Sequence, residues 1–466
     1  MILGDTIAAL STPRGKGGVA LIRISGQDAR VICDRIFRPK SGKSFLQYAP
    51  PRTALYGGLL APDANGEFLP VDDGLVTFFP GPASFTGEDT VEICCHGGVL
   101  LTQTVLTAVY AAGARPAEAG EFTRRAFLNG KMGLSSAEAL GNMLEAQTRE
   151  QLTLAHTGMG GKVEGRCEEI YQSLCAILAS IYAKIDYPDE DLADMSREEM
   201  LQALEGCESS LASLVRTYHT GHAIAEGIPT VICGKPNAGK SSLYNRILGK
   251  DAAIVTDVEG TTRDILSEIA SLGRVTLRLF DTAGLRETDN PVEQIGIARA
   301  REALRSAELV LAVFDVSRPA DDQDRELIQT LSQLENTTVV AVLNKSDLCP
   351  GEPEETYTSA FSHTVLLSAK SGEGMAALEA LVERLFTDGA LDLRQDAVLT
   401  NARQHAAGVA ALEAVRRAIL ALRSGVPMDL CCTDAEQAMS ALCELDGRSV
   451  SEDIVTRIFS HFCVGK

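Results

Sequence analysis

The sequence predicts a multidomain chain of mixed class, α+β and α/β, in which an α/β unit with a parallel sheet interrupts an all-α domain. Three observations predict it. At 466 residues the chain exceeds what one hydrophobic core supports, so about two to four domains are expected. Short β-type runs and turns fill residues 1–115, whereas residues 120–220 and 387 onward carry helical periodicity. Between 223 and 386, strands and helices alternate in the βαβ pattern of a parallel sheet. The expected divisions are an N-terminal α+β domain over 1–120, a helical part over 121–222, the inserted unit over 223–386, and a second helical part over 387–466.

The N-terminal strands are read from GGVALIRISG, RTALYGGLL, DGLVTFFPG and DTVEICCHGG, and its helices from QDARVICDRIF and VLLTQTVLTAVYAAGA. In the helical part, Leu174, Ile177, Leu178, Ile181 and Ile185 recur at the spacing of one helix face. The acidic run DYPDEDL at 186–192 breaks that pattern through Pro188 and reads as a solvated loop. After TDGALDLRQD, helices resume over 398–423, 430–445 and 450–462.

Composition narrows the function. A hydrophobic share of 45 % and a charged share of 23 % are ordinary for a globular protein. No apolar run approaches the roughly 18 residues of a membrane span. MILGDTIAAL carries Asp5 and lacks the basic start of a secretory signal. The twelve cysteines make no C-x-x-C pair, so the expectation is a reduced cytoplasmic setting without structural zinc. Net charge is −20, spread as −1 over residues 1–120, −7 over 121–222, −10 over 223–388 and −2 over 389–466. That excludes a generic nucleic-acid coat, whose affinity comes from neutralised phosphates. Any RNA contact is expected at the two least acidic ends.

The chemistry is concentrated in the inserted unit. GKPNAGKS, Gly234 to Ser241, fits G-x-x-x-x-G-K-[ST] between a strand and a helix. Glycines at both ends let backbone N–H groups turn inward around phosphates, and the following helix adds its positive dipole end. Lys240 reaches the β and γ phosphates and the Ser241 hydroxyl takes a Mg²⁺ position. NKSD, Asn344 to Asp347, ends the strand TTVVAVL. An Asp carboxylate there accepts two hydrogen bonds that guanine offers and adenine does not, so ATP is rejected. SAK, Ser368 to Lys370, fits a backbone contact to guanine O6. DTAG, Asp281 to Gly284, follows VTLRLF; its Asp281 orders the magnesium shell and the Gly284 N–H senses the γ phosphate. GTTRD, Gly260 to Asp264, lies about 20 residues beyond the P-loop and supplies Thr262 to Mg²⁺. The order of motifs is that of a GTP-binding protein of the Ras-like superclass. The GTP-binding set comprises Asn237, Ala238, Gly239, Lys240, Ser241 and Ser242; Thr256, Asp257, Val258, Glu259, Gly260, Thr261 and Thr262; Asp281, Thr282, Ala283 and Gly284; Asn344, Lys345, Ser346 and Asp347; and Ser368, Ala369 and Lys370.

One position departs from the usual pattern. Many such GTPases carry Gln directly after D-x-x-G to orient the attacking water, and here it is Leu285. No arginine finger is evident. Candidates to fill the gap are Glu293 and a monovalent cation held by Asn237 and backbone carbonyls around Thr256 to Thr261. On residues alone, Glu293 reads as a solvated helix residue rather than a catalytic one. A K⁺ in that place does the work of the finger, worth about 10³- to 10⁵-fold in rate.

The chain closes on SHFCVGK. A prenylation box needs two aliphatic residues before a Ser, Met, Gln, Ala, Leu or Phe terminus, and Gly465 and Lys466 break it. Taken alone, Cys463 is a buried apolar cysteine. The whole chain, however, resembles the bacterial and organellar tRNA modification GTPases known as MnmE or TrmE. The resemblance rests on DTIAALSTPRGKGGVALIRISG, SFTGEDTVEICCHGG, GEFTRRAFLNGK, the series from GKPNAGKSS to NKSD, and the terminal FCVGK. Gly133, where relatives often have Asp, and Val464, where Ile is commoner, are small departures.

The resemblance implies a tetrahydrofolate-binding N-terminal α+β domain that dimerises, a central helical domain, and an inserted Ras-like G domain. It implies folate contacts at Arg23, Glu92, Lys131 and the terminal Lys466, with Cys463 near the one-carbon unit of 5-formyltetrahydrofolate or another one-carbon tetrahydrofolate. On residues alone, Arg23 and Glu92 read as a cross-strand ion pair. It further implies K⁺ at Asn237, Thr256, Val258 and Thr261, Mg²⁺ at Ser241 and Thr262, and water positioned by Glu293. The implied partners are a second copy, tRNA and the FAD- and NADH-dependent MnmG (GidA). The implied reaction is GTP hydrolysis coupled to adding an aminomethyl or carboxymethylaminomethyl group at carbon 5 of the wobble uridine. Two rivals stay open: a ribosome-assembly GTPase switch, and a folate-dependent aminomethyltransferase with a regulatory G domain. The first lacks a visible basic RNA-binding module; the second predicts turnover without GTP.

Overall fold

The computed structural model describes residues 4–186, 195–250, 267–280, 306–334, 337–348, 355–389, 391–462, 464 and 465. The acidic run after Asp186 therefore lies outside the described residues. Contacts divide the chain into two compact units, Met1–Gly141 with Asp446–Lys466, and Asn142–Leu445. Helix Glu121–Leu128 and helix Glu452–Ser460 go with the N-terminal sheet, and the α/β block shares a unit with most of the helices.

In the first unit, strands β1 (Ile7–Leu10), β2 (Val19–Ser25), β3 (Phe37–Pro39), β4 (Leu55–Pro62), β5 (Phe68–Phe79), β6 (Thr90–His96) and β7 (Arg115–Pro116) form one sheet. Its order is β3-β4-β5-β6-β2-β1-β7, antiparallel except between β1 and β7. Alternation decides the faces. Ile22, Ile24, Val91 and Ile93 are buried and pack with Ile32 and Ile36 of α1 (Ala29–Ile36) and Val105 and Val109 of α2 (Val99–Ala111). Their neighbours Arg23 and Glu92 take the other face in direct register. Leu134, Ala137, Val455 and Phe459 make a satellite core that ties the chain's two ends together within this unit.

The second unit carries its own α-helical core. Leu174, Ile177, Leu178 and Ile181 are buried as the periodicity predicts, but Ile185 is 49 % exposed because the helix Lys162–Asp186 runs out at its solvent end. Capping boxes start three of its described helices, Thr148 with Gln151, Ser196 with Glu199 and Asp321 with Asp324. The helix Arg197–His222 passes through one π-turn into β8 (Ile228–Gly234). From there β9 (Ser267–Leu272), β10 (Val275–Phe280), β11 (Leu309–Asp315), β12 (Thr338–Asn344) and β13 (Thr364–Leu366) form a sheet of order β13-β12-β11-β8-β10-β9. All pairs are parallel except β10 with β9. β11 is buried along its whole length, as a central parallel strand covered on both faces must be. This is a Ras-like sheet, whose carboxyl ends form the ligand-binding edge of open α/β folds.

Candidate nucleotide site and a polar cluster in the N-terminal unit

β8 ends at Gly234, and the helix Lys240–Lys250 begins after a five-residue turn. The turn demands left-handed backbone. Asn237 has φ +63° and Gly239 φ +101°. A Cβ at Gly239 would lie 2.0 Å from Asn344 Nδ2, and one at Gly234 would lie 2.3 Å from the Val313 carbonyl oxygen. Both glycines are therefore required by close approach as well as by torsion. The Lys240 ammonium donates to the carbonyls of Gly234 (2.9 Å) and Lys235 (2.8 Å), so it lies across the mouth of its own loop. Ser241 and Ser242 are exposed on the first turn of the helix.

Asn344 joins this loop to a second one. Its buried carboxamide donates to the Ala238 carbonyl at 2.8 Å and accepts from the Ala369 N–H at 2.9 Å. One side chain thus sets the spacing between the phosphate turn and the Ser368–Ala369–Lys370 segment. Ser368 is fully buried and its Oγ accepts from the Ser371 N–H. Arg246 donates to the carbonyls of Ala369 (3.1 Å) and Lys370 (2.5 Å) from the helix after the phosphate turn. Ser346 and Asp347 follow on a 3₁₀ turn, with Asp347 exposed at the strand's carboxyl end. The geometry brings a left-handed glycine turn, a cation and an exposed carboxylate to the carboxyl ends of the strands, which suits a purine nucleotide polyphosphate.

Sequence reading missed the groups that brace these loops. Lys235, between the glycines, is buried and donates to Asp321 Oδ1 and Asp324 Oδ2, both at 2.6 Å. Asp321 also caps the helix Asp322–Leu331. Burial disfavours the Lys235 ammonium, but the two carboxylates outweigh it and raise its pKa. Lys345, at φ +66°, donates to Asp315 Oδ2 at 2.5 Å. Burial opposes ionisation of Asp315, yet Lys345 and Ser317 hold its carboxyl below the usual range. The only sequence signal was the cluster DDQD after DVSRPA, and it carries no spacing rule that names Lys235 or Lys345.

Several expected residues lie outside the described residues: Thr256, Asp257, Val258, Glu259, Gly260, Thr261 and Thr262, Asp281 to Gly284, Leu285, Glu293, Cys463 and Lys466.

In the first unit, Arg23 and Glu92 form the cross-strand pair that their residue types suggest, with Arg23 donating to Glu92 Oε1 at 2.8 and 3.0 Å. The guanidinium lies over the rings of Phe85 (5.2 Å) and Phe122 (5.7 Å). Lys131 donates to the Pro82 carbonyl at 2.8 Å, and Asn129 to that of Thr86 at 2.7 Å. The segment Gly81–Glu88 thus lies against both Arg23 and Lys131. The tail arrives nearby. Val464 bridges to Ala119, and the Gly465 carbonyl accepts from Ser11 Oγ at 3.0 Å. Gly465 has φ +101°, and a Cβ there would lie 2.1 Å from the Leu10 carbonyl oxygen. Leu10 pairs with Ile22, next to Arg23. Behind Arg23 stands an ionic network also missed in the sequence. Arg125 meets Asp5, Glu88 and Glu121, and Arg115 meets Asp5 and Glu121. Ser25 closes it on Glu88 at 2.8 Å.

Comparison with known proteins bears on both sites. The family described as GTP-binding protein TrmE N-terminus matches residues 6–131, and that described as MnmE helical domain matches residues 134–463. The tRNA modification GTPase MnmE of Symbiobacterium thermophilum is 41 % identical over 464 residues, covering 99 % of each chain. That of Clostridioides difficile is 36 % identical over 468 residues, covering all of both. Among solved structures, the G domain of the T. maritima FeoB iron transporter is 24 % identical, covering 33 % of this chain and 96 % of that one, at a TM-score of 0.26. Full-length identity at this level, with both family descriptions met in order, means that the chain belongs to the family of tRNA modification GTPases MnmE.

Proposed function

We propose that this protein hydrolyses GTP to GDP and phosphate, and that it does so in the service of tRNA modification. The observation that carries the first part is Asn344. By holding Ala238 and Ala369 at once, it ties the turn that would take the phosphates to the segment that would take guanine. Asp347 then accepts from guanine N1–H and N2–H₂, and the N–H groups at Gly239 to Ser241 face the phosphates. Lys240 gives up its loop carbonyls for the β and γ oxygens when nucleotide enters.

The hard oxygen donors at this edge fit two cations. The Ser241 hydroxyl, with Thr262, would hold Mg²⁺. The Asn237 carboxamide, with Thr256, Val258 and Thr261, would hold K⁺. Bound there, the ions supply charge neutralisation between the phosphates, and Glu293 positions the attacking water.

The second part is a one-carbon transfer in the N-terminal unit. Arg23, Glu92, Lys131 and Lys466 would bind a tetrahydrofolate such as 5-formyltetrahydrofolate, with Cys463 beside the one-carbon unit. The approach of Val464 and Gly465 to Ala119 and Ser11 supports this reading. Because Arg23 already pairs with Glu92, folate carboxylates would have to share that guanidinium or displace Glu92 from it. A homodimer working with the FAD- and NADH-dependent MnmG (GidA) in the reducing cytoplasm would add an aminomethyl or carboxymethylaminomethyl group at carbon 5 of the wobble uridine.

The test is a pair of measurements on the full chain. GTP turnover is measured in KCl and in NaCl; equal rates remove the cation from the proposal. 5-Formyltetrahydrofolate is titrated calorimetrically into the protein and into a version lacking Cys463 to Lys466. Binding weakened by the truncation supports the tail as part of the site. No binding to either, with GTPase intact, removes the folate reading and leaves a GTP switch.

A further inference from the structure

Charge in this protein is unevenly placed on a scale finer than its domains. Residues 30–56 hold six basic side chains and one acidic, a net of +5 in a chain of net −20. The segment runs from α1 through the edge strand β3 to the start of β4. It is firmly built. Phe37 and Phe45 are fully buried and meet edge to face at 5.8 Å, and Lys40 N–H donates to the Tyr56 carbonyl at 3.0 Å. Asp34, the one acid, is spent inside the loop, accepting from Ser44 Oγ at 2.6 Å and the Leu46 N–H at 2.9 Å. Arg30 donates to the Leu46 carbonyl at 2.6 Å.

What this loop presents outward is a set of cations interleaved with aromatic rings. The Lys43 ammonium lies 4.4 Å from the Tyr48 ring centroid, and that of Lys40 5.8 Å from the Tyr56 ring. Tyr48 is 46 % exposed and Tyr56 51 %. Arg38, two residues before Lys40 on β3, is exposed as well. Among the described residues, Asp73 of β5 faces the patch, 3.9 Å from Lys40 and accepting from the Tyr56 hydroxyl at 3.1 Å, while Asp72, turned toward His96, adds a second negative charge near Tyr56. Lysines and a proline on an edge strand also serve to block edge-to-edge pairing. That role does not call for two half-exposed tyrosines, each with an ammonium beside its ring. Cations that follow a backbone together with exposed rings are the two components of a surface for single-stranded nucleic acid.

We propose that the patch formed by Arg38, Lys40, Lys43, Tyr48 and Tyr56 binds RNA, the cations taking backbone phosphates and the tyrosines stacking on unpaired bases. The inference rests on the tRNA reading above and locates the contact on this chain. It also eases the conflict between an acidic protein and a polyanionic substrate, because the repulsive charge lies mainly elsewhere in the sequence.

The experiment measures binding of unmodified tRNA to the full-length protein between 50 and 200 mM KCl. The wild type is compared with the double variant Lys40→Gln/Lys43→Gln and with Tyr48→Leu. Each lost phosphate contact lowers the slope of log K against log salt by about 0.7 to 0.9, so the lysine variant should lose about 1.5 and bind at least tenfold more weakly at low salt. Tyr48→Leu should weaken binding on the order of tenfold with its slope unchanged. Both should keep wild-type melting and basal GTP hydrolysis, since all of these residues belong to the N-terminal unit and the phosphate turn belongs to the other. Wild-type affinity and slope in both variants overturn the inference while leaving tRNA binding elsewhere on the chain. Polyglutamate competing as well as single-stranded RNA of equal charge marks a docking face for an acidic protein segment and overturns the RNA assignment. A wild-type chain that binds no tRNA at any salt also overturns it, and the tRNA-modification reading is then judged by its own assay.

Discussion

Replacing Arg125 by methionine tests whether the buried ionic network holds the N-terminal unit together. Arg125 is 6 % exposed and Glu121 1 %. The guanidinium donates to Asp5 Oδ1 (2.6 Å), the Asp5 carbonyl (2.8 Å), Glu121 Oε1 (3.0 Å) and both Glu88 oxygens (3.1 and 3.2 Å). Methionine fills much of the volume but leaves Glu121 with Arg115 as its remaining cation partner and Glu88 held by Ser25. Breaking a buried pair by removing one partner costs about 3–5 kcal/mol. At the roughly 2–4 °C per kcal/mol expected for a unit of this size, unfolding of the unit moves down by about 6–20 °C. The assay is hydrogen exchange of the amides in Glu121–Leu128, read against amides of β11 as an internal control. Acid gives a second readout. Arg115 and Arg125 hold the Asp5 carboxyl below its ordinary 3.8, and the same two arginines overcome burial to hold Glu121 below 4.5. Depressed folded values mean stability present above the unfolded pKa and lost as pH falls through the folded one. The gap between variant and wild type should therefore be full at pH 7 and shrink below about pH 4. The double variant Arg125→Met/Glu88→Gln should recover part of the loss, because Glu88, whose ion pair among the described residues is with Arg125, then carries no unpaired charge. A loss under about 1 kcal/mol, or one equal at pH 7 and pH 3, would refute the reasoning.

Three further outcomes follow from the same geometry. Asp347→Asn should shift nucleotide preference from GTP toward xanthosine triphosphate, since an amide donates where guanine also donates; competition assays that still favour GTP place guanine recognition elsewhere. Gly239→Ala should abolish nucleotide binding, because its Cβ would lie 2.0 Å from Asn344 Nδ2 at φ +101°; calorimetry with GDP is the check. Gly465→Ala should pull the tail off Leu10 and Ser11, where its Cβ would lie 2.1 Å from a carbonyl oxygen; 5-formyltetrahydrofolate affinity should drop at least tenfold with GTP turnover unchanged, and undiminished affinity separates the tail from the folate site.

The groups legible in the sequence are those whose partners lie within a few residues. GKPNAGKS announces its turn because the left-handed positions and the cation fall inside eight residues. Arg23 and Glu92 were also within reach, since strand alternation puts both on one face and their charges invite pairing. Lys235 was not. It sits inside the most recognisable motif of the chain, yet its partners Asp321 and Asp324 lie more than 80 residues away, and nothing local states that the lysine turns from the phosphates toward a helix cap. The same limit accounts for the helix Glu121–Leu128. Its periodicity reads as helix, and the helical texture that follows reads as one domain with it. What assigns it to the sheet instead is Glu121 and Arg125 meeting Arg115, Asp5 and Glu88, pairings that only the register of β1 and β7 brings about. Ile185 differs because it stands one residue before the helix Lys162–Asp186 ends, where it is 49 % exposed. Periodicity predicts which side of an element is apolar, and long-range polar contacts decide which neighbour that element serves. In this chain the second kind of information governs both the bracing of the phosphate loop and the setting of Arg23. Substitution at Asp324, which lies outside the phosphate turn and holds Lys235 within it, should therefore perturb that turn.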